Sequence, residues 1–219
     1  MLFRSSHAEW LASRPEAAEE EAIALMLRLA EEHEAHVHIV HLSAASALRT
    51  IAAARKRGVP LSVETCPHYL LFAAEEVPDG ATEYKCAPPI REEENREKLW
   101  DALREGLVDQ VVTDHSPSTV SLKCSDSGDF MKAWGGISSL QLGLAAVWTG
   151  ARARGASVED VSRWMCAAPA RLAGLAATVC SPPLSLHHSL LRNAKHLAEL
   201  FRRSSRRKGN QGIYVRQFQ

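Results

Sequence analysis

The strongest constraint on this chain is an alternation of short β-branched runs with helical patterns. Residues 37–42, 61–65 and 108–113 read as strands, and helical periodicity fills the intervals. Strand, helix, strand at this spacing builds βαβ units and therefore a parallel sheet, an α/β architecture. Parallel sheets are covered on both faces, which suits the apolar Val37-Ile39-Val40 and Val111-Val112.

The helix signals are local. Ser13 with Glu16 reads as a capping box, and Ile23, Met26, Leu27 and Ala30 then recur at helical spacing, predicting a helix from about 15 to 33. Ser43 is placed to cap a second helix that carries Ala45, Leu48, Ile51 and Ala52 and stops at Gly58. The second strand-like run, 61–65, enters a turn at Cys66-Pro67, and 69–90 reads as a long proline-containing loop. A charged helix over 92–105 buries Leu99 and Leu103 and stops at Gly106. After a Ser- and Gly-containing loop over 117–136, an apolar helix is expected over 138–154. A last helix starts at Ser157, where Asp160 completes a second capping box, and runs to Ala168.

Zero net charge over 219 residues argues against nucleic acid or a membrane as the main partner, but the average hides a break. After Leu175 there are eight Lys and Arg and one acid, which leaves 18 basic and 25 acidic side chains before it. Two regions follow: a folded unit over 1–175, and an irregular basic tail over 176–219 in which the Arg202–Lys208 cluster reads as solvated. Five cysteines without C-x-x-C spacing read as reduced thiols rather than a secreted disulfide framework. No run is long and apolar enough to span a membrane, and no signal peptide is evident, so a cytoplasmic location is expected, with an organelle matrix the alternative.

Chemistry concentrates where parallel strands end, because the loops there converge. His41 closes the first strand run, on the side of Val37 and Ile39 if alternation continues. Asp114 follows the third run, where a carboxylate is costly to bury unless paired or on a metal. A neutral imidazole and a carboxylate at two strand ends suit a divalent cation that activates water. His36-Val37-His38 resembles a zinc pair but sits at a strand's beginning, and is read as structural or exposed. Cys66 and His68 are metal-competent, although their loop is expected to shape the pocket, and His115 beside Asp114 suits a supporting role.

Five ordered segments carry a family resemblance: 38–43 (His-Ile-Val-His-Leu-Ser), 64–69 (Glu-Thr-Cys-Pro-His-Tyr), 85–91 (Lys-Cys-Ala-Pro-Pro-Ile-Arg), 113–117 (Thr-Asp-His-Ser-Pro) and 131–137 (Met-Lys-Ala-Trp-Gly-Gly-Ile). Together they resemble the allantoinases, which are cyclic amidohydrolases alongside hydantoinases, dihydropyrimidinases and dihydroorotases. The resemblance implies an incomplete (β/α)₈ TIM-type barrel comprising about strands six to eight. It also implies a two-zinc site in the complete enzyme, where a hydroxide bridging the metals, with a carboxylated lysine, opens the cyclic amide ring of allantoin to give allantoate. By motif, His41 and Asp114 would bind metal, with Asp114 also the catalytic proton carrier. Ala87, Ser116, Trp134, Gly135 and Gly136 would hold the ureide edge, with His115 and His68 behind the ligands. The family's first-strand His-x-His, fourth-strand lysine and fifth-strand histidine have no counterpart, and the match ends at Gly174-Leu175. The isolated chain is therefore expected to be an inactive fragment of a homo-oligomeric enzyme. The alternatives are a non-catalytic interaction product and a hydantoin- or dihydropyrimidine-cleaving relative.

Overall fold

A computed structural model of the protein describes residues 6–175, so the expectations for the basic tail lie outside the described residues. The elements are α1 (His7–Ala12), α2 (Glu16–Glu32), β1 (Val37–Ile39), α3 (Leu48–Lys56), β2 (Leu61–Thr65), α4 (Pro67–Leu71), α5 (Glu93–Glu105), β3 (Gln110–Val111), α6 (Gly143–Ala153), α7 (Val158–Ser162) and α8 (Ala168–Leu172). A π-helical turn over Arg163–Ala167 joins the last two. The strands form one parallel sheet in the order β1-β2-β3, with Val37 opposite Leu61, Ile39 opposite Val63 and Thr65 opposite Val111.

Period-two alternation divides the sheet into two chemically different faces. Val37, Ile39, Val63, Thr65 and Val111 are buried on one face, where Ile51, Leu99, Leu103 and Trp164 complete the core. A fully buried Leu or Ile there contributes roughly 2 kcal/mol of apolar burial. The other face carries a polar row. His38 bonds Ser62 Oγ at 2.7 Å and Glu64 Oε2 at 2.8 Å, and Gln110 Nε2 donates to the same Glu64 oxygen at 3.0 Å. His38 is thus held by its neighbours across the sheet, as expected of a structural histidine. Trp100 anchors α5 by donating Nε1 to Leu70 O at 2.9 Å. Gly150 of α6 allows that packing, since a Cβ there would lie 2.5 Å from the Trp100 ring.

Several local expectations change, each because a distant partner outcompetes a near one. Ser13 does not cap α2; it ends a short helix absent from the sequence reading, α1, and its hydroxyl donates to Trp10 O at 2.7 Å. Ser43 does not cap α3, because its hydroxyl donates to Pro89 O at 2.7 Å. The backbone N–H groups there go instead to Glu19 of α2, which accepts from Ser43 and Ala44, and to Asn95 Oδ1, which accepts from Ala45 at 2.7 Å. The 69–90 loop is partly helical: Pro67 occupies the first turn of α4, where its missing N–H has no cost. The strands are shorter than predicted at both outer positions, and α6 starts only at Gly143, the N–H groups of Ser139 and Leu140 before it donating to His115 Nδ1. Gly58, Gly106 and the Ser157–Asp160 box stand where the sequence put them.

Candidate metal centre

All three strands point the same way, so the residues that follow them gather at one end of the sheet. His41 lies two residues beyond β1, Cys66 directly follows β2, and Asp114 lies three residues beyond β3. β2 separates the outer two, placing their strand ends about 10 Å apart.

His41 and Asp114 share a rarer property. Their φ angles are +41° and +43°, in the left-handed region that non-glycine residues seldom occupy. Such residues persist only where surrounding structure over-determines them, at a cost of about 1–3 kcal/mol each, and they collect at functional sites. For His41 this also corrects the alternation argument: β1 ends at Ile39, and the turn takes His41 out of the register that buries Val37 and Ile39.

The clamp on His41 is visible in the next three residues. Leu42, Ser43 and Ala44 are fully buried. Leu42 O accepts from Thr65 Oγ1 at 2.7 Å, and Leu42 N donates to Glu64 O at 2.8 Å. Asn95 bridges this segment by donating to Ser43 O at 2.8 Å while accepting from Ala45 N.

Between the two candidates sits His68, on α4. It is 3% exposed, and neither ring nitrogen has a hydrogen-bond partner among the described residues. Burial, and secondarily the charge of His41, push His68 down to about 3, so its ring is neutral at physiological pH. One ligand atom each from Cys66, His68 and Asp114 lie within 4.8 Å of one another. Burial pushes the Cys66 thiol well up, and the charges of Asp114 and Glu64 add to that. The donor set fits a divalent cation: a neutral imidazole with orphaned nitrogens, an exposed carboxylate, and a second imidazole, His41, near enough to influence the first. His68, read from the sequence as supporting, stands at the centre of this group.

The loop after Asp114 is organised by charge rather than burial. His115 Nδ1 accepts from the backbone N–H of Ser139 at 3.1 Å and Leu140 at 3.2 Å, and Ser139 Oγ donates to Thr113 O at 2.6 Å. His115 pairs with Ile137 as an isolated parallel bridge, and Ser116 N donates to Ile137 O at 3.1 Å. Gly136 is required by this approach, because a Cβ would lie 2.4 Å from Ser116 Oγ. Two lysines, the buried Lys85 and the half-buried Lys123, staple the loop. Lys85 Nζ donates to Met131 O and Ala133 O, and Lys123 Nζ lies within hydrogen-bond reach of five backbone carbonyls, those of Thr82, Glu83, Lys85, Trp134 and Gly136. Burial pushes Lys123 down to about 8. Sequence reasoning passed over Lys123, which reads there as an ordinary solvated charge.

The remaining nominated residues differ in what they offer. Ala87, Trp134 and Gly135 are exposed. The N–H groups of Trp134 and Gly136 already donate to Leu122 O and Lys85 O, leaving the Gly135 N–H and the Ser116 hydroxyl without a hydrogen bond among the described residues. A concavity of about 260 Å³ lies elsewhere, near Glu16, Ser46, Glu92 and Asn95, and contains none of these groups. A small cavity of about 70 Å³ does border His68, between α4 and α6.

Solved structures with this architecture are hydantoinases and dihydropyrimidinases by their titles. The D-hydantoinase (dihydropyrimidinase) from Thermus sp. superposes with a TM-score of 0.72 at 31% identity, covering 78% of this chain and 38% of that one. The L-hydantoinase from Arthrobacter aurescens gives 0.71 at 31%, with the same coverage. No protein-family model matches the chain.

Sequence similarity is stronger to the allantoinases. The allantoinase of Streptomyces avermitilis is 59% identical over 170 residues, spanning 78% of this chain and 38% of the relative. A mitochondrial allantoinase of Aquarana catesbeiana is 46% identical over 193 residues, and the Saccharomyces cerevisiae allantoinase is 47% identical over 176. The chain therefore spans about two fifths of the length of the curated relatives it matches.

Proposed function

We propose that this chain supplies one side of an allantoin-opening hydrolase site, with His41 and Asp114 as metal ligands on what would be strands six and eight of an amidohydrolase barrel. The reading rests on one observation above all. Two side chains that sequence reasoning nominated, 73 positions apart, follow parallel strands to one sheet end and meet at His68, which feels the charge of His41 and has a ring nitrogen within 4.8 Å of a carboxylate oxygen of Asp114. The 59% identity to an allantoinase, against 31% to the hydantoinases, favours allantoin over hydantoin or dihydropyrimidine as the substrate.

Zinc bound there would lower the pKa of water and polarise the amide carbonyl. The protein's own groups do the rest. Asp114 accepts the proton of the attacking water and returns it to the departing ring nitrogen, a task for a solvent-accessible carboxylate beside the reacting bond. His41 holds its imidazole toward the same place because the buried Leu42–Ala44 segment fixes its backbone. The Gly135 N–H and the Ser116 hydroxyl bind polar atoms on the ureide edge, and Trp134 shields one side. Ala87 contributes backbone only. The family's other metal ligands have no counterpart among the 219 residues, so the chain alone would not turn over allantoin.

A chimera tests the proposal: residues 6–175 replace the matching segment of the Streptomyces avermitilis allantoinase. The chimera is expected to open allantoin, and D114N within it to lose at least about 100-fold of the rate, as for loss of a general acid–base group. A folded, zinc-loaded chimera that opens hydantoin or dihydropyrimidine in preference to allantoin overturns the substrate assignment. A chimera whose D114N form retains full activity overturns the site.

A further inference from the structure

We propose that Cys66, His68 and Asp114 form a soft cation site of their own, distinct from the His41–Asp114 pairing, that takes a thiophilic divalent ion such as zinc or cadmium. Three observations converge on it. The donor atoms, a thiol sulfur, an imidazole nitrogen and a carboxylate oxygen, already lie within 4.8 Å of one another. Both His68 nitrogens are buried without a partner among the described residues, a state that normally calls for an unseen water or ion. The local backbone also fixes the spacing: Cys66 precedes α4 and His68 lies in its first turn, so one short rigid segment presents two of the three ligands.

The chemistry is balanced. A divalent ion held by one thiolate, one carboxylate and one neutral imidazole leaves no net charge in a buried place, which removes the main penalty of burying the ion. Mixed sulfur, nitrogen and oxygen donors suit zinc, and the thiolate selects against magnesium and calcium. Ligand-to-ligand separations around tetrahedral zinc are about 3.3–3.8 Å, so side-chain shifts on the order of 1 Å close the present arrangement. Binding exchanges the Cys66 thiol proton for the metal and releases that proton to solvent. A fourth position stays open to water on the exposed Asp114 side.

Asp114 belongs to both groupings, and this gives the site a consequence. An ion drawn toward Cys66 engages the carboxylate that the hydrolase proposal requires as proton carrier. Soft cations in excess are therefore inhibitors of any enzyme containing this segment, and the thiol of Cys66 sets their affinity.

Cobalt(II) titration of the 219-residue chain tests this without any turnover assay. Cys124, Cys166 and Cys180 are first replaced by serine, so that only the buried Cys66 and Cys86 remain. A near-ultraviolet thiolate-to-cobalt charge-transfer band is expected, present in C86S and absent in C66S. The affinity for cobalt is expected to fall at least about tenfold in each of C66S, H68N and D114N. No band in the parent, or a band that survives C66S and disappears in C86S, overturns the site. Should C66S fail to fold, zinc-edge X-ray absorption of the C86S form decides instead: a sulfur scatterer at about 2.3 Å supports the site, and a shell of nitrogen and oxygen alone refutes it. The chimera result is independent, because a chimera opening allantoin is compatible with either spectrum.

Discussion

The two ends of the candidate centre are held in place by opposite means. On the His41 side, the chain runs straight into the core: Leu42, Ser43 and Ala44 have no exposed surface, and every anchoring bond comes from a neutral or carboxylate group inside the fold. On the Asp114 side, the chain leaves the sheet into an exposed loop whose position depends on two ammonium groups reaching backbone carbonyls. One ligand is thus placed by packing and the other by charge. The first should move only when the whole domain unfolds, whereas the second can loosen by itself.

Three perturbations put that contrast to the test. The largest effect is expected from N95A. It leaves Ser43 O and Ala45 N buried without their partner, at a cost of about 3 kcal/mol, seen as a lower urea midpoint with unchanged slope. If N95A instead raised amide exchange only in 40–46, the packed side would be locally mobile and the contrast would fail. G136A comes next, at about 2 kcal/mol of overpacking against Ser116. Its signature is local: amide exchange over 113–140 should rise well before that of β1 and β2. A uniform rise across the domain would show that the loop is coupled to the core after all.

The smallest effect concerns Lys123 and is a matter of sign. Burial lowers its native pKa from 10.5 to about 8, so between those values the unfolded state binds more protons. Stability then rises with pH across that window, because the penalty of a buried charge disappears as the amine becomes neutral. Measured against K123M, which has no titrating group at this position, wild-type stability should climb from about pH 8 toward pH 10.5. A fall in that interval would mean that the carbonyl cage stabilises the ammonium by more than its burial costs.

Legibility in the sequence followed the same division. The parallel sheet, the glycine stops and the strand-end positions of His41 and Asp114 all come from patterns of a few neighbouring residues, and the structure places them accordingly. Asp114 stood out because a carboxylate after an apolar run demands an explanation. The anchors were invisible for the complementary reason. Glu19 and Asn95 serve a segment 24 to 52 residues away, and nothing local distinguishes them from other polar residues on helical faces. Ser43 was misread as a cap because its local pattern was correct, but Pro89 O lay nearer in space. Lys123 sits among serines and glycines, where a lysine ordinarily signals only solvent. His68 was noticed, yet the lack of a hydrogen-bond partner for its ring nitrogens among the described residues is a property of three dimensions.

The positive φ angles at His41 and Asp114 carry a corollary for anyone wishing to toughen this polypeptide. Glycine tolerates that twist without penalty, so the substitutions that most relax the main chain at these two positions are also the ones that erase its reactive groups. Durability and chemical competence are traded at the same pair of Cα atoms, and a screen for thermal tolerance alone would drift toward a sturdier, inert molecule.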